Sequence, residues 1–277
     1  MNKPRRPAVR YHGGKWKLAP WIIGHFPEHR VYVEPFGGGA SVLLRKPRAY
    51  AEIYNDLDGE IVNLFRVLRD RGDELVEKLV LTPFAREEFD LSYTKTRDPI
   101  EQARRTVVRC GMGFGSTAIG DVKTGFRGSA TRSGTHPATD WANQSKNLPC
   151  IIDRLQGTII ENRKATEVMI YHDSLTTLHY VDPPYVHETR QWISAKDAYR
   201  HEMTDEDHRA LADCLKSLTG MVILSGYDCD LYRELYGDWL KVERQAFADG
   251  ARARTECLWL NDQAAKHQQG QLFAEAS

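Results

Sequence analysis

The chain has 277 residues and a mass of 31.6 kDa, with 41% hydrophobic and 27% charged residues, enough to bury one large core or a core with an inserted subdomain. Its 38 basic and 38 acidic residues cancel, so net charge singles out no partner, and no apolar run approaches the roughly 18–20 residues of a membrane helix. The five cysteines (Cys110, Cys150, Cys214, Cys229, Cys257) are scattered and never spaced as CxxC, which fits reduced thiols in a cytoplasmic protein rather than a disulfide framework.

The first 27 residues carry six basic side chains (Lys3, Arg5, Arg6, Arg10, Lys15, Lys17) and no acid. No apolar core comes after them, so this is not the pattern of a signal peptide. His25 and His29 have i,i+4 spacing, but Pro27 between them argues against one helical face holding a metal. Residues 31–33 read as a strand, ended by Glu34-Pro35-Phe36 and then Gly37-Gly38-Gly39; 40–44 is expected to begin a helix. A second strand is predicted over 49–54, ending on Asn55-Asp56, and Ile61, Leu64, Phe65, Leu68, Leu75 and Leu79 then recur at helical spacing. Strand, glycine turn, helix, strand and acid form the βαβ pattern of a nucleotide-type site on a parallel sheet.

The glycines allow the backbone close approach to a ligand, and Glu34 suits a cationic or amine-bearing group more than a phosphate. A dinucleotide fingerprint would need glycine where Val42 stands, and Gly13-Gly14-Lys15 lacks the spacing of a P-loop. Asp56 lies 19 residues after Gly37, about where a carboxylate accepts from ribose hydroxyls, so a nucleoside-containing ligand is expected.

Residues 84–109 read as mostly helical and lead into 110–141, which holds seven glycines, many Ser and Thr, and isolated aromatics. That is too long for a plain connection, and Phe114, Phe126 and Trp141 give it something to pack, so it reads as an inserted functional subdomain. Six basic residues between 104 and 136 (Arg104, Arg105, Arg109, Lys123, Arg127, Arg132) stand against Asp121 alone, the second basic region in a neutral chain and a sign of a polyanionic partner. The α/β pattern then resumes, with strands expected at 158–160, 168–171, 178–181, 221–224 and 257–260. Helices are expected at 205–218, capped by Thr204 with Asp207, and at 230–236.

Asp182-Pro183-Pro184-Tyr185 closes the 178–181 strand. The prolines hold the backbone extended and donate no N–H, so the turn presents two acceptors, the Asp182 carboxylate and the Pro183 carbonyl, beside the Tyr185 ring. Two acceptors and a stacking face suit an exocyclic amino group on a planar base. Accepting both N–H bonds pushes charge toward that nitrogen for in-line attack, and the carboxylate stabilises the positive charge that develops. A base in a duplex must be flipped out to reach such a turn.

These residues resemble those of Dam-like, alpha-class DNA N6-adenine methyltransferases, particularly phage and prophage forms. The likeness runs through "RYHGGKWKLAPWI" (10–22), "VEPFGGGASVLL" (33–44), "IYNDLDGEIVNLF" (53–65), "IYHDSL" (170–175), "VDPPY" (181–185), "GMVILSGYD" (220–228) and "RTECLWLN" (254–261), in that family's order. Asp before Pro-Pro-Tyr resembles the adenine enzymes more than the cytosine-N4 ones. The resemblance implies a Rossmann-like α/β fold with a mostly parallel sheet, a catalytic core over 1–84 and 151–277, and a mainly helical target-recognition insert over 85–150. It implies S-adenosyl-L-methionine as methyl donor, with S-adenosyl-L-homocysteine as product and no metal. Tyr11, Lys15, Glu34, Phe36, Gly37, Gly39, Asp56, Asp173 and Asp182 fall at cofactor positions, with Asp173 toward the cofactor adenine and Asp182, Pro183, Pro184 and Tyr185 as the catalytic motif.

Double-stranded DNA is the implied partner, approached by Arg109, Lys123, Arg127 and Arg132, with the protein a monomer or weak dimer. In the GATC enzymes the insert carries an Asn-Arg, then a Phe-Asn-Gly and Arg pattern. Here the comparable stretch is "RCGMGFGSTAIGDVKTGFRGS" (109–129), so the activity carries over and the GATC target does not. The same core acting on cytosine N4 or on RNA, or a DNA-binding module without turnover, are the alternatives. Pro149-Cys150 with Glu161-Asn162 superficially matches a cytosine-C5 enzyme, but those motifs lie further apart there, and Cys150 before Ile151-Ile152 reads as a core thiol.

Overall fold

The computed structural model describes residues 3–115, 123–129, 135–189, 200–247 and 253–266. Seven strands form one sheet: β1 (Val31–Glu34), β2 (Ala51–Asn55), β3 (Thr158–Glu161), β4 (Thr177–Val181), β5 (Met221–Tyr227), β6 (Leu240–Phe247) and β7 (Ala253–Leu260), in the order β3-β2-β1-β4-β5-β7-β6. The first five are parallel, with Val33 opposite both Ile53 and His179 and Tyr180 opposite Ile223. β7 returns antiparallel to β5 and carries β6 on its far side. This is the mostly parallel, Rossmann-like sheet expected from the sequence.

Central strands of such a sheet are covered on both faces and therefore apolar throughout. All five residues of β4 are buried. On one face Tyr32, Tyr54, Leu178, Tyr180, Ile223 and Leu258 pack beneath α2 (Gly59–Val80), α4 (Pro99–Met112) and α6 (Leu148–Leu155). On the other, Val181, Val222, Leu224 and Trp259 meet α8 (Asp205–Ser217) and α9 (Asp230–Tyr236). α2 is capped by Asp58, which accepts from Glu60 N at 2.9 Å, and breaks at Arg71 (φ −139°), next to Gly72, where a Cβ would come within 2.4 Å of Ile152. The Thr204–Asp207 capping box on α8 is present in both directions.

The segment 85–150 contributes α3 (Arg86–Leu91), α4 and α5 (Pro137–Gln144), whose Phe89, Ile100, Val107 and Trp141 join the same core as Leu64 and Phe65 of α2. Phe126 stacks near Phe84 and Phe89, with ring centroids 5.1 and 5.7 Å away, whereas Phe114 is 59% exposed. None of the five cysteines is in a disulfide. No helix among the described residues is long and apolar enough to cross a membrane.

Two expected elements differ. Residues 41–44 form turns and do not grow into a helix: Ala40 sits at φ 51°, the bonds from Leu44 N to Ala40 O and from Lys46 N to Val42 O close separate turns, and Pro47 blocks any helical continuation. Residues 168–171, expected as a strand, belong to α7 (Ala165–Tyr171): Ala165, Val168 and Met169 are buried while Ile170 and Tyr171 are exposed, a helical pattern that a short apolar run conceals.

Candidate active site

In a doubly wound sheet, ligands bind beyond the carboxyl ends of the strands, where the strand order reverses. Here that point lies between β1 and β4, because the chain winds outward from β1 through β2 to β3 and from β4 to β5 in the opposite direction. A cavity of about 440 Å³ opens there. Tyr11, Lys15, Glu34, Phe36, Gly37, Gly39, Asp56, Asp182, Pro183 and Pro184, ten residues separated by up to 173 positions in the chain, all line it.

The turn after β1 is held from several sides. Gly37 N donates to Asn55 O at 2.7 Å, Gly38 N to Asp56 Oδ2 at 2.8 Å, and the Tyr54 hydroxyl to Gly38 O at 2.8 Å. A Cβ on Gly37 would fall 2.2 Å from the Tyr54 ring; Gly38 has φ +46° and a Cβ there would fall 2.6 Å from the Tyr11 ring. Glycine is therefore required by packing at one position and by backbone conformation and packing at the next. Asp56 also accepts from Asp58 N at 2.8 Å, and burial raises its carboxyl to about 6. Each of its oxygens keeps a further lone pair for a ligand hydroxyl.

Glu34 is fully buried and accepts from the Tyr32 hydroxyl at 2.7 Å and Leu43 N at 2.9 Å, both on Oε2. Burial pushes its carboxyl up to about 8. Near neutrality it is mostly a neutral hydrogen-bonding group, not the standing anion that the sequence reading assumes for an amine-bearing ligand; an arriving ammonium would draw it toward ionisation.

Lys15, only 6% exposed, donates to Gly13 O at 3.1 Å and pairs with Asp182 Oδ1 at 3.0 Å. Burial raises the Asp182 carboxyl, and the Lys15 charge opposes that rise. The Lys15 ammonium also sits over the Tyr185 ring, 4.5 Å from its centroid. The Tyr185 hydroxyl donates to Glu256 Oε2 at 2.9 Å and lies 3.2 Å from Ser225 Oγ. Tyr185 itself is not among the residues lining the cavity; its ring lies under Lys15 and follows the lining residues Asp182 to Pro184 in the chain.

Asp173, expected toward the cofactor adenine, does not line the cavity. It precedes β4, at the amino end of the sheet, and accepts from Thr219 N at 2.7 Å, Gly220 N at 2.9 Å and the Thr219 hydroxyl at 2.8 Å, with His179 Nε2 at 3.1 Å. It ties β4 to the start of β5, the length of a strand away from the cavity. The corresponding edge of the cavity is formed by Lys164, Ala165 and Thr166, just after β3.

The basic residues nominated for DNA also divide. Arg109 is 6% exposed and pairs with Glu60, and Arg127 is 9% exposed, with Nη1 on Gly111 O at 3.1 Å and Nη2 3.8 Å from Asp140. Both brace the fold rather than face solvent, because a buried guanidinium needs internal acceptors. Lys123 is 53% exposed beside Asp90 at 2.9 Å. Arg132 lies outside the described residues. Sequence reasoning missed Asp58, Tyr180, and Arg200 to Met203 on the cavity wall. Arg200 reaches Asp58 at 2.8 Å. Asp58 carried a signal as a helix cap, whereas nothing in the sequence marks 200–203.

The sequence profile of a family described as D12 class N6 adenine-specific DNA methyltransferase matches residues 11–247. Among characterised proteins, the type II methyltransferase M1.LlaDCHI of Lactococcus lactis subsp. cremoris is 27% identical over 251 residues, covering 84% of this chain and 85% of its own. A DNA adenine methylase of Haemophilus influenzae is 24% identical over 83% of this chain and 82% of its own. That of Escherichia coli is 28% identical over 36% of this chain and 38% of its own.

Proposed function

We propose, because the chain belongs to the D12 class of N6 adenine-specific DNA methyltransferases, that the cavity between β1 and β4 takes S-adenosyl-L-methionine and that Asp182 and Pro183 present adenine N6 to it. The activity is methylation of adenine in DNA. The observation that carries the site reading is the convergence of ten sequence-nominated residues on one cavity at the switch point.

The lining fits the donor. A backbone free of Cβ atoms at Gly37 to Gly39 suits the close approach of its methionine part, Asp56 suits ribose hydroxyls, and the apolar Phe36, Pro35 and Leu211 suit an adenine ring. When bound, its sulfonium supplies an already activated methyl group. The chain's own part is orientation and charge. The Pro183 carbonyl and Asp182 carboxylate accept the two N6 hydrogens, which loosens the nitrogen lone pair from the ring. Lys15 at 3.0 Å favours the ionised form of Asp182 against the effect of burial, so that negative charge can stand beside the amine as it turns positive. The amine must leave the duplex to arrive, and Tyr185 is the aromatic surface next to it.

Asp182→Ala is expected to abolish methyl transfer from radiolabelled donor to adenine-containing duplex, by at least about a hundredfold, with circular dichroism showing a folded protein. An active Asp182→Ala would sink the assignment. Mass spectrometry of the methylated nucleosides would separate N6-methyladenine from an N4-methylcytosine product.

A further inference from the structure

We infer that Glu256, on β7, is a positioning residue for methyl transfer that acts through Tyr185; this rests on the reading of Asp182 to Tyr185 as the catalytic turn. Pro183 and Pro184 remove two backbone donors from that turn, so side-chain anchors carry more of its definition. The antiparallel pairing of β5 and β7 puts Glu256 directly opposite Tyr227, and Ser225 two residues earlier on the same face. All three converge on one ring. Glu256 Oε2 accepts from the Tyr185 hydroxyl at 2.9 Å, Ser225 Oγ lies 3.2 Å from that hydroxyl, and the Tyr227 ring stands edge-on at 4.6 Å between centroids. Glu256 is 7% exposed and Ser225 1% exposed, so the anchor is buried, and swinging Tyr185 away would take a donor from an enclosed carboxylate.

The chain of contacts continues to the reacting end. The ring of Tyr185 lies beneath the Lys15 ammonium at 4.5 Å, and Lys15 holds Asp182 at 3.0 Å. Glu256 thus fixes the plane of the tyrosine and, through it, the side on which Lys15 meets Asp182. It need not touch the methyl donor.

The test is steady-state methylation of duplex DNA by the full chain and its E256A, E256Q, Y185F and E256A/Y185F variants. E256A is expected to lose about tenfold or more in kcat with KM for the methyl donor unchanged within about twofold. E256Q, whose amide oxygen still accepts from the hydroxyl, recovers most of that loss. Y185F carries the same defect, and adding E256A to it lowers kcat no further. Additive losses, a parallel rise in donor KM, an E256Q as poor as E256A, or a fully active Y185F would each overturn the inference. Should E256A fail to fold, E256D, shorter by one methylene, takes its place with the same expected loss. D182A run alongside keeps two failures apart: an active D182A removes the catalytic turn itself, whereas an inactive D182A with an undiminished E256A removes the role of Glu256 alone.

Discussion

At the scale of single residues, the carboxyls around the cavity differ in kind. Asp182 has a cation at 3.0 Å, Asp56 has two backbone N–H donors, and Glu34 has two donors with the Lys46 charge a weaker opposing influence. Glu34 is raised from 4.5 to about 8, because desolvation outweighs its hydrogen bonds. A carboxyl whose folded value lies above its unfolded one takes up a proton on folding. Its contribution to stability is full below about 4.5 and is lost as the pH climbs toward 8. Glu34→Gln keeps an acceptor for Tyr32 and Leu43 and removes the titration. Chemical denaturation between these limits should show the variant gaining on the parent by up to about 1.4 kcal/mol per pH unit. A gap that stays constant with pH would mean that Glu34 is ionised in the free protein. Glu34, Phe36, Gly37, Gly39, Asp56 and Asp182 to Pro184 were legible because they sit beside a strand end or a glycine turn, whereas Tyr11 and Lys15 were legible only through the family likeness. Asp173 was assigned from the likeness of "IYHDSL" (170–175) to a family motif, and that likeness does not show that the acid precedes β4, whereas only the end after β4 faces the cavity.

At the scale of elements, α6 shows how the glycine turn is held from below. Arg154 donates from Nη1 to Glu52 Oε2 at 2.5 Å and from Nη2 to Leu43 O at 2.6 Å, and Lys46 reaches Glu52 at 2.7 Å. Glu52 is on β2 and Leu43 comes just after the glycines, so one guanidinium joins a helix, a strand and the turn. Arg154→Ala would leave Glu52 buried with one of its two cationic partners gone. Urea titration is expected to show a loss of about 3–5 kcal/mol; a loss below about 1 kcal/mol would mean that the network contributes like a surface pair. Helices α2 and α8 were legible from their apolar period and caps, and strands β1, β2 and β4 from short apolar runs closed by an acid, a proline or a glycine turn. The turns at 40–44 and helix α7 were not, since four or five apolar residues fit helix and strand alike until a packing partner decides. β6 escaped because Lys241, Glu243 and Arg244 mask its alternation, the charged pattern of a strand at a sheet edge.

At the scale of the whole molecule, the site exists only because segments far apart in the chain meet. Tyr11 and Lys15 precede the sheet, Asp182 closes β4, and Arg200 to Met203 come from beyond it, all around one cavity. A ligand that binds such an assembled cavity favours the folded state by mass action. The methyl donor at about 100 times its dissociation constant should add about 2.7 kcal/mol, read as a rise of a few degrees in the thermal midpoint. An unchanged midpoint at saturating donor would count against the cavity as its site. What the sequence determined alone was the chemistry and its order along the chain: glycines where backbone must come close, acids at strand ends, two prolines that leave acceptors without donors. These are local properties, set by φ, by missing N–H groups and by the period of apolar residues. What only the tertiary structure decided was which groups share a space. It sent Asp173 to the far end of the sheet and turned Arg109 and Arg127 inward to Glu60 and Asp140. It also brought Glu256, 71 residues downstream, to the hydroxyl of Tyr185. Burial and ion pairing are properties of neighbours distant in sequence, and a charge shows no sign in its own residue of whether it will face solvent or another charge.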